Sequence, residues 1–362
     1  MDTSAENINF DNNGFCNYCS KFIEKLNNLK KNNLNIYELK KKIQIKKKGK
    51  EYDCIIGLSG GVDSCFTLHK AIEIGLKPLV VHMDNGWNSE LAQSNIENLV
   101  KSLNLDLYTH VIDWNEYKNM MNSFFKADVI DVELLMDNAM LAVNYQQASK
   151  HKINYILGGT NITSEGMEMP SNMNWFKYDK KNILNIIDIF GKNKISTYPI
   201  IGTLDLVHFI SIKKIRWISF LDFFDYNKFE AIELLKKKYN FKPYPYKHYE
   251  SIFTRFYQGY LLPKKFGVDK RKLHLSTLVI SKQITRDEAI NELASEHAYP
   301  NEEMLENDKL YFLKKMGWSD NDLKEYINRP KIPHDYYKSE KKVYNFFLKS
   351  YKFLKFLKFL KF

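Results

Sequence analysis

The sequence predicts an α/β fold, a parallel sheet wound on both faces by helices, and three observations carry that reading. From Tyr52 to about residue 157, short apolar runs alternate with longer stretches in which apolar residues recur at helical spacing. The runs are rich in Val, Ile and Leu with little polar alternation, the composition of strands buried on both faces. Each is followed by a turn carrying Gly, Asp, Asn or Ser and then by a helical stretch, the order that builds parallel sheets.

Taken in order, residues 20–37 predict one amphipathic helix, since Phe22, Ile23, Leu26 and Leu29 share a face. Strands are expected at 54–58, 78–83, 105–112 and 153–157, with helices at 64–74, 89–103 and 131–150 between them. Ligands of such sheets sit outside the carboxyl ends of the strands, where the strand order reverses. Past about Thr203 the strand pattern fades. Residues 213–224, 229–239, 286–296 and 307–315 read as helices around an irregular basic and aromatic stretch at 244–276. The expected organisation is a Cys-pair segment and helix (1–45), a sheet domain (46–205), a helical region for substrate or partner (206–337) and a low-complexity tail (338–362).

A chain of 362 residues buries an ample core without a metal or disulfide staple. With four cysteines and no secretory leader pattern, a reduced cytoplasmic setting is expected. The longest apolar runs are strand-sized and fall short of a membrane span. The net charge is +11, but the lysine runs at 40–50 and 338–362 each contribute +7, which leaves −3 for the rest. The body is therefore not a nucleic-acid surface, and the runs read first as solvated segments. The terminal YKFLKFLKFLKF repeats every three residues. On an α-helix its lysines would advance about 60° per repeat and spiral round the axis. A low-complexity end is expected, and weak adhesion to an anionic membrane surface is the contact its composition suits.

The stretch that points to chemistry is Ser59-Gly60-Gly61-Val62-Asp63-Ser64, between the first strand and the first sheet helix. Two glycines permit a tight turn with N–H groups near an anion, the helix N-terminus adds partial positive charge, and two hydroxyls can donate. No lysine stands in the loop, so it is not the common NTPase P-loop, and no dinucleotide fingerprint is present. A capped strand-to-helix turn is the plainer alternative. Two further strand ends matter: His82-Met83-Asp84-Asn85-Gly86-Trp87, and Gly158-Gly159-Thr160-Asn161 with Glu165 beyond it. Glu165 is either a Mg²⁺ ligand or a solvent-exposed acid. Cys16 and Cys19 are half of a tetrahedral zinc site, while Cys54 and Cys65 read as small core residues.

The full loop string resembles the PP-loop of the ATP pyrophosphatases, S-G-G-x-D-S. That resemblance implies a doubly wound, five-stranded-type parallel sheet like that of the adenine nucleotide alpha hydrolases. It implies that Ser59, Gly60, Gly61, Asp63 and Ser64 hold the β- and γ-phosphates of ATP, with Mg²⁺ on Asp63 and Glu165. His82, Asp84, Gly158, Gly159 and Thr160 would hold the rest of the nucleotide. Together with "FDNNGFCNYC", "VVHMDNGWNSELA", "LGGTN" and "LPKKFGVDKRKLHLSTLVISKQITRDEA", the chain looks like the N-acetyl sugar amidotransferases of surface-polysaccharide and flagellar sugar synthesis, from about Asn9 to about Ala294. Their reaction adenylates an acetamido oxygen and replaces it with ammonia, giving an acetamidino sugar, AMP and pyrophosphate.

By that resemblance Asp63, Lys265 and Arg271 are catalytic, and Asn161, Arg255, Lys265, Arg271 and Lys272 bind the substrate; the basic residues among them suit a sugar carboxylate, a nucleotide diphosphate or the α-phosphate in transit, with a solvated basic loop as the plainer alternative. Residue 2 is Asp rather than the nucleophilic Cys of a built-in glutaminase. The family draws ammonia from separate glutaminase and cyclase-like subunits. Members usually carry a second Cys pair ahead of a segment similar to residues 1–4, so zinc on Cys16 and Cys19 is expected only if the N-terminus is incomplete. A PP-loop enzyme of tRNA thiolation or lysidine type is the alternative. The negative body, the want of a catalytic Cys near the activated base and the string at 262–294 weigh against it.

Overall fold

The computed structural model describes residues 1–31, 34–47 and 49–359. Its strands are β1 (Cys54–Gly57), β2 (Pro78–Asp84), β3 (Leu107–Val111), β4 (Tyr155–Gly158) and β5 (Arg216–Ser219). They form one parallel sheet in the order β3-β2-β1-β4-β5. The chain builds outward from β1 to β3, then returns to place β4 on the other side of β1. The order thus reverses between β1 and β4, where Ile56 pairs with Leu157.

Alternation of side chains divides the sheet's apolar residues between two faces. Ile55, Leu79, Val81 and Ile156 pack with Ala142, Val143 and Tyr145 of the helix Leu134–Lys150. Cys54, Ile56, Val80 and Leu157 pack with Cys65 and Leu68 of the helix Val62–Glu73, and with Ile96 and Leu99 of Glu90–Leu103. Each such fully buried aliphatic side chain favours the fold by about 1.5–3 kcal/mol. Local chemistry marks the ends of Glu90–Leu103: Ser89 accepts from the Ala92 N–H, and Asn104 closes it in the left-handed region at φ 48°.

A third apolar cluster lies among the outer helices. Trp87, from the loop after β2, meets Phe253 and Phe312 there, with ring centroids 5.4 and 6.2 Å away. The Lys315 ammonium sits over the Trp87 and Trp114 rings, 4.6 and 4.5 Å from their centroids, and donates to the Gly86 carbonyl. The loop after β2 is thereby fastened to the helix Glu302–Met316.

The structure corrects several expectations. The stretch 213–224, expected as helix, contains β5 and then a 3₁₀ turn at Phe220–Phe223. A four-residue run carries too little periodicity to separate the two, and pairing with β4 from Tyr155↔Arg216 to Gly158↔Ser219 decides it. The sheet consequently extends past the residue-205 boundary. Residues 244–276, expected as irregular, hold the helix Ile252–Phe256, a π-helix at Tyr257–Phe266 and the helix Arg271–Ile280. Pro263, which has no N–H to donate, lies inside the π-helix, and Gly267 ends it at φ 68°. The single helix expected at 20–37 becomes Asn17–Lys31 and Ile36–Lys47. Helices at Trp114–Lys126, Lys180–Phe190, Thr203–Ser211 and Asp320–Asn328 were not anticipated from the sequence. The terminal repeat, expected as a low-complexity end, continues a helix at Lys341–Phe359, and residues 360–362 lie outside the described residues. Among the described residues no helix is long and apolar enough to cross a membrane.

Candidate functional site

The loop 59–64 sits where the strand order reverses, leaving β1 and opening the helix Val62–Glu73. Gly60 has φ +85°, and a Cβ there would meet the Ala92 carbonyl oxygen at 2.7 Å, so the turn admits only glycine. The two serines hold it closed. Ser64 Oγ donates to the Gly61 carbonyl at 3.0 Å and lies 3.2 Å from Ser59 Oγ, while the Ser59 N–H points at Ser64 Oγ at 3.3 Å. Gly61 caps the helix with no side-chain acceptor, which leaves first-turn N–H groups open to an anion. From the other side of the reversal comes Gly159, whose added Cβ would lie 2.9 Å from the Asp63 carbonyl carbon. Gly158 ends β4 against the Trp217 indole, and Thr160 Oγ1 lies 3.4 Å from Ser219 Oγ.

Acids and bases face this loop. Tyr226 donates its hydroxyl to Asp63 Oδ1. Burial, and after it the Glu165 carboxylate, raises Asp63 above the ordinary range. Burial also works to raise Glu165, but the Lys247 ammonium at 2.7 Å outweighs it and holds that carboxyl low. Glu250 lies against the loop, with Oε1 3.2 Å from where a Gly61 Cβ would stand. It too is kept low against the pull of burial, by the His248 ring at 3.7 Å. Lys228, the first residue of the helix Lys228–Tyr239, is lowered by burial and then by Lys247.

The segment carrying Lys247, His248 and Glu250 is strapped across the loop at both ends. Tyr244 donates to the Gly60 carbonyl at 2.9 Å, and Asn95 Nδ2 donates to the Lys242 carbonyl at 3.0 Å. At the far end Asn88 and Ser251 form an antiparallel bridge, with Ile252 N–H on the Trp87 carbonyl at 2.8 Å. Tyr226, Lys228, Lys247, Glu250 and His274 were not singled out from the sequence. Lys247, Glu250 and His274 stand in the stretch 244–276 read as irregular, where only the density of basic and aromatic residues marked them, and Tyr226 and Lys228 stand between two expected helices.

The other expected site residues are placed as follows. His82 donates from Nδ1 to the Leu58 carbonyl at 2.8 Å and accepts at Nε2 from Asn88 at 3.0 Å, tying the ends of β1 and β2 together. Asp84 accepts the Gly86 N–H of its own turn. Asn161 is buried and caps the turn Ile162–Glu165 through Ser164 N–H. Arg255 makes a bidentate pair with Asp308, at 2.5 and 2.6 Å. Lys265 has 0% side-chain exposure and spends its ammonium on the Tyr326 and Arg329 carbonyls and on Asp128. Arg271 is used up by Asp269, Ser295 and the Glu292 carbonyl, and Lys272 pairs with Asp2 at 2.5 Å. The partners of Arg255, Lys265, Arg271 and Lys272 are Asp308, the Asp128 carboxylate with two carbonyls, Asp269 with the 292–295 turn, and Asp2, all outside the loop 59–64.

Cys16 and Cys19 place their sulfurs 3.1 Å apart, and burial, then Cys16, pushes the Cys19 thiol up to about 11. Among the described residues no group of three or more His, Cys, Asp or Glu side chains gathers as a metal site. Two thiols supply half of a four-coordinate zinc set, and no further ligand of that kind stands with them among the described residues.

Residues 250–356 match the family model described as LPS biosynthesis protein WbpG-like, C-terminal domain. No curated protein matches the chain. Among solved structures, the NMN synthetase from Francisella tularensis is similar at 16% identity, over 62% of this chain and 92% of that one, with a TM-score of 0.28. The NH3-dependent NAD synthetase from Campylobacter jejuni subsp. jejuni NCTC 11168, in complex with the nitrate ion, is similar at 17% identity, over 61% and 93%, also with a TM-score of 0.28. Likeness at this level bears on neither reaction nor ligand.

Proposed function

We propose that this chain is an ATP-dependent, AMP-forming amidotransferase of surface-polysaccharide synthesis, acting on an N-acetyl sugar. The observation that carries the reading is the loop 59–64, which presents an uncapped helix N-terminus at the reversal point of a parallel sheet with Asp63 and Glu165 facing it. Similarity of residues 250–356 to a lipopolysaccharide-synthesis domain supports the substrate class. Open N–H groups and two hydroxyls suit the pyrophosphate end of ATP. Two carboxylates, with Asp63 raised by burial and then by Glu165, suit a shared Mg²⁺, a cation that takes oxygen ligands and leaves room for phosphate oxygens. Its chemistry there is neutralisation of phosphate charge.

In the reaction the acetamido oxygen forms a bond to the α-phosphorus as pyrophosphate leaves and the amide nitrogen loses its proton. Ammonia then adds to the imidate carbon, AMP departs with the oxygen, and the acetamidino sugar remains. No side chain has to be the nucleophile; positioning and charge neutralisation carry the steps. The activated imidate has to be kept from water, and the strap from Tyr244 to Ser251 crosses the loop where it would form. Ammonia comes from a separate glutaminase subunit.

Pyrophosphate release from ATP, measured with candidate N-acetyl sugars and with tRNA side by side and ammonium chloride as donor, tests this. Release should require an acetamido sugar, and Asp63→Asn should lower it at least about a hundredfold while the protein stays folded. Release driven by tRNA alone, or full activity of Asp63→Asn, would sink the proposal.

A further inference from the structure

Beside the loop the protein holds a buried hydrogen-bond donor that has no acceptor, on the His274 ring. Lys247 Nζ lies 3.5 Å from His274 Nδ1. An ammonium has no lone pair, so the ring nitrogen accepts and, in the neutral imidazole, Nε2 carries the hydrogen. Burial, then Lys247, keeps that ring neutral by holding its protonation far below the ordinary range. Yet Nε2 is buried with no partner, an unmade bond that folding penalises. Lys228 stands nearby as a half-buried cation: among the described residues its ammonium makes no ion pair, and Lys247, Asp63, Glu250 and Glu292 act on it through space. By contrast Arg255, Lys265 and Arg271, which the sequence suggested for anion binding, have their donors satisfied inside the protein.

We propose that Lys228, Lys247 and His274 form a subsite for an oxyanion, a carboxylate or phosphate carried by a molecule that reacts at the loop. This rests on the amidotransferase reading and adds that one reactant must present such a group here. Lys247 links the two places, since it pairs with Glu165 facing the loop and reaches His274 in the subsite. The oxyanion belongs either to the nucleotide, as its α-phosphate, or to the acceptor sugar as an acid or diphosphate.

Full-length wild type, Lys228→Met and His274→Asn are compared by calorimetric titration with MgATP, AMP, N-acetylneuraminate and UDP-N-acetylglucosamine. Lys228→Met should weaken at least one of these roughly tenfold or more. Its thermal midpoint should hold or rise, because an unpaired cation beside a second cation burdens the empty protein. Losses for AMP and MgATP assign the oxyanion to the nucleotide; losses confined to the sugar probes assign it to the acceptor. The subsite is overturned if both variants bind every probe within about twofold of wild type, or if Lys228→Met only lowers the midpoint. A wild type that binds sugar acid or diphosphate but no nucleotide overturns the loop reading and leaves the subsite standing; one that binds no probe overturns both.

Discussion

Replacing Lys265 with methionine should cost stability and spare chemistry. The Lys265 ammonium has three donors and three acceptors: the Tyr326 carbonyl at 2.5 Å, the Arg329 carbonyl at 2.8 Å and Asp128 Oδ1 at 3.0 Å. It also lies 4.4 Å from the centroid of the Tyr326 ring. Methionine keeps most of the stem and withdraws all three bonds. Removing one partner of a buried pair costs about 3–5 kcal/mol. Asp128 retains Arg329 at 3.0 Å, so the lower end applies, about 3 kcal/mol. At roughly 2 °C per kcal/mol for a large chain, the thermal midpoint should fall by about 6 °C. Calorimetry gives the midpoint and pyrophosphate release gives activity per folded molecule. A midpoint within about a degree of wild type, with release abolished, would refute the reasoning and return Lys265 to the reaction.

Gly60→Ala places a side chain at φ +85° and a Cβ against the Ala92 carbonyl, so nucleotide-dependent release should be lost with a drop of about 1–2 kcal/mol in stability. Full release by this variant would remove the loop backbone from phosphate binding. His334 stacks on Trp175 with ring centroids 5.1 Å apart, offers Nδ1 to Asn182 at 2.8 Å and accepts the Asp131 N–H at Nε2. Burial pushes its protonation down to about 3, against the opposing field of Asp131, from an ordinary 6.5. Between those values the unfolded chain takes up a proton that the folded one refuses. Stability is therefore whole above pH 6.5 and drains away as pH falls toward 3. His334→Gln should flatten the loss of midpoint between pH 7 and pH 5, and identical pH profiles for the two proteins would count against the assignment.

The parts of the fold visible in the sequence are those where local pattern and tertiary demand agree. β1, β2 and β4 are apolar runs bounded by turn residues, and burial on both faces asks for nothing else. β5 was hidden because its four residues become a strand only by pairing with β4. The loop 59–64 was readable because its requirements are local: a left-handed Gly60, a close approach at Gly61 and an open helix start. Its surroundings were not, since Lys228, Lys247 and His274 come together through a strap and two helices far apart in sequence. Basic residues that stood out as a string, Lys265 to Lys272, turned inward to carbonyls and acids. Charge density along a chain does not distinguish a ligand site from a clamp.

The stretch shared with the lipopolysaccharide-synthesis family opens at residue 250, on the strap itself. The border of similarity thus runs through the site and not around it. The loop 59–64 belongs to the sheet, whereas Glu250 and His274 belong to the matched stretch. Exchanging 250–356 between relatives would replace Glu250 and His274 and leave the loop 59–64 as it was. An arrangement of that kind lets one side of the site change by exchange of a single contiguous piece of chain while the loop stays constant.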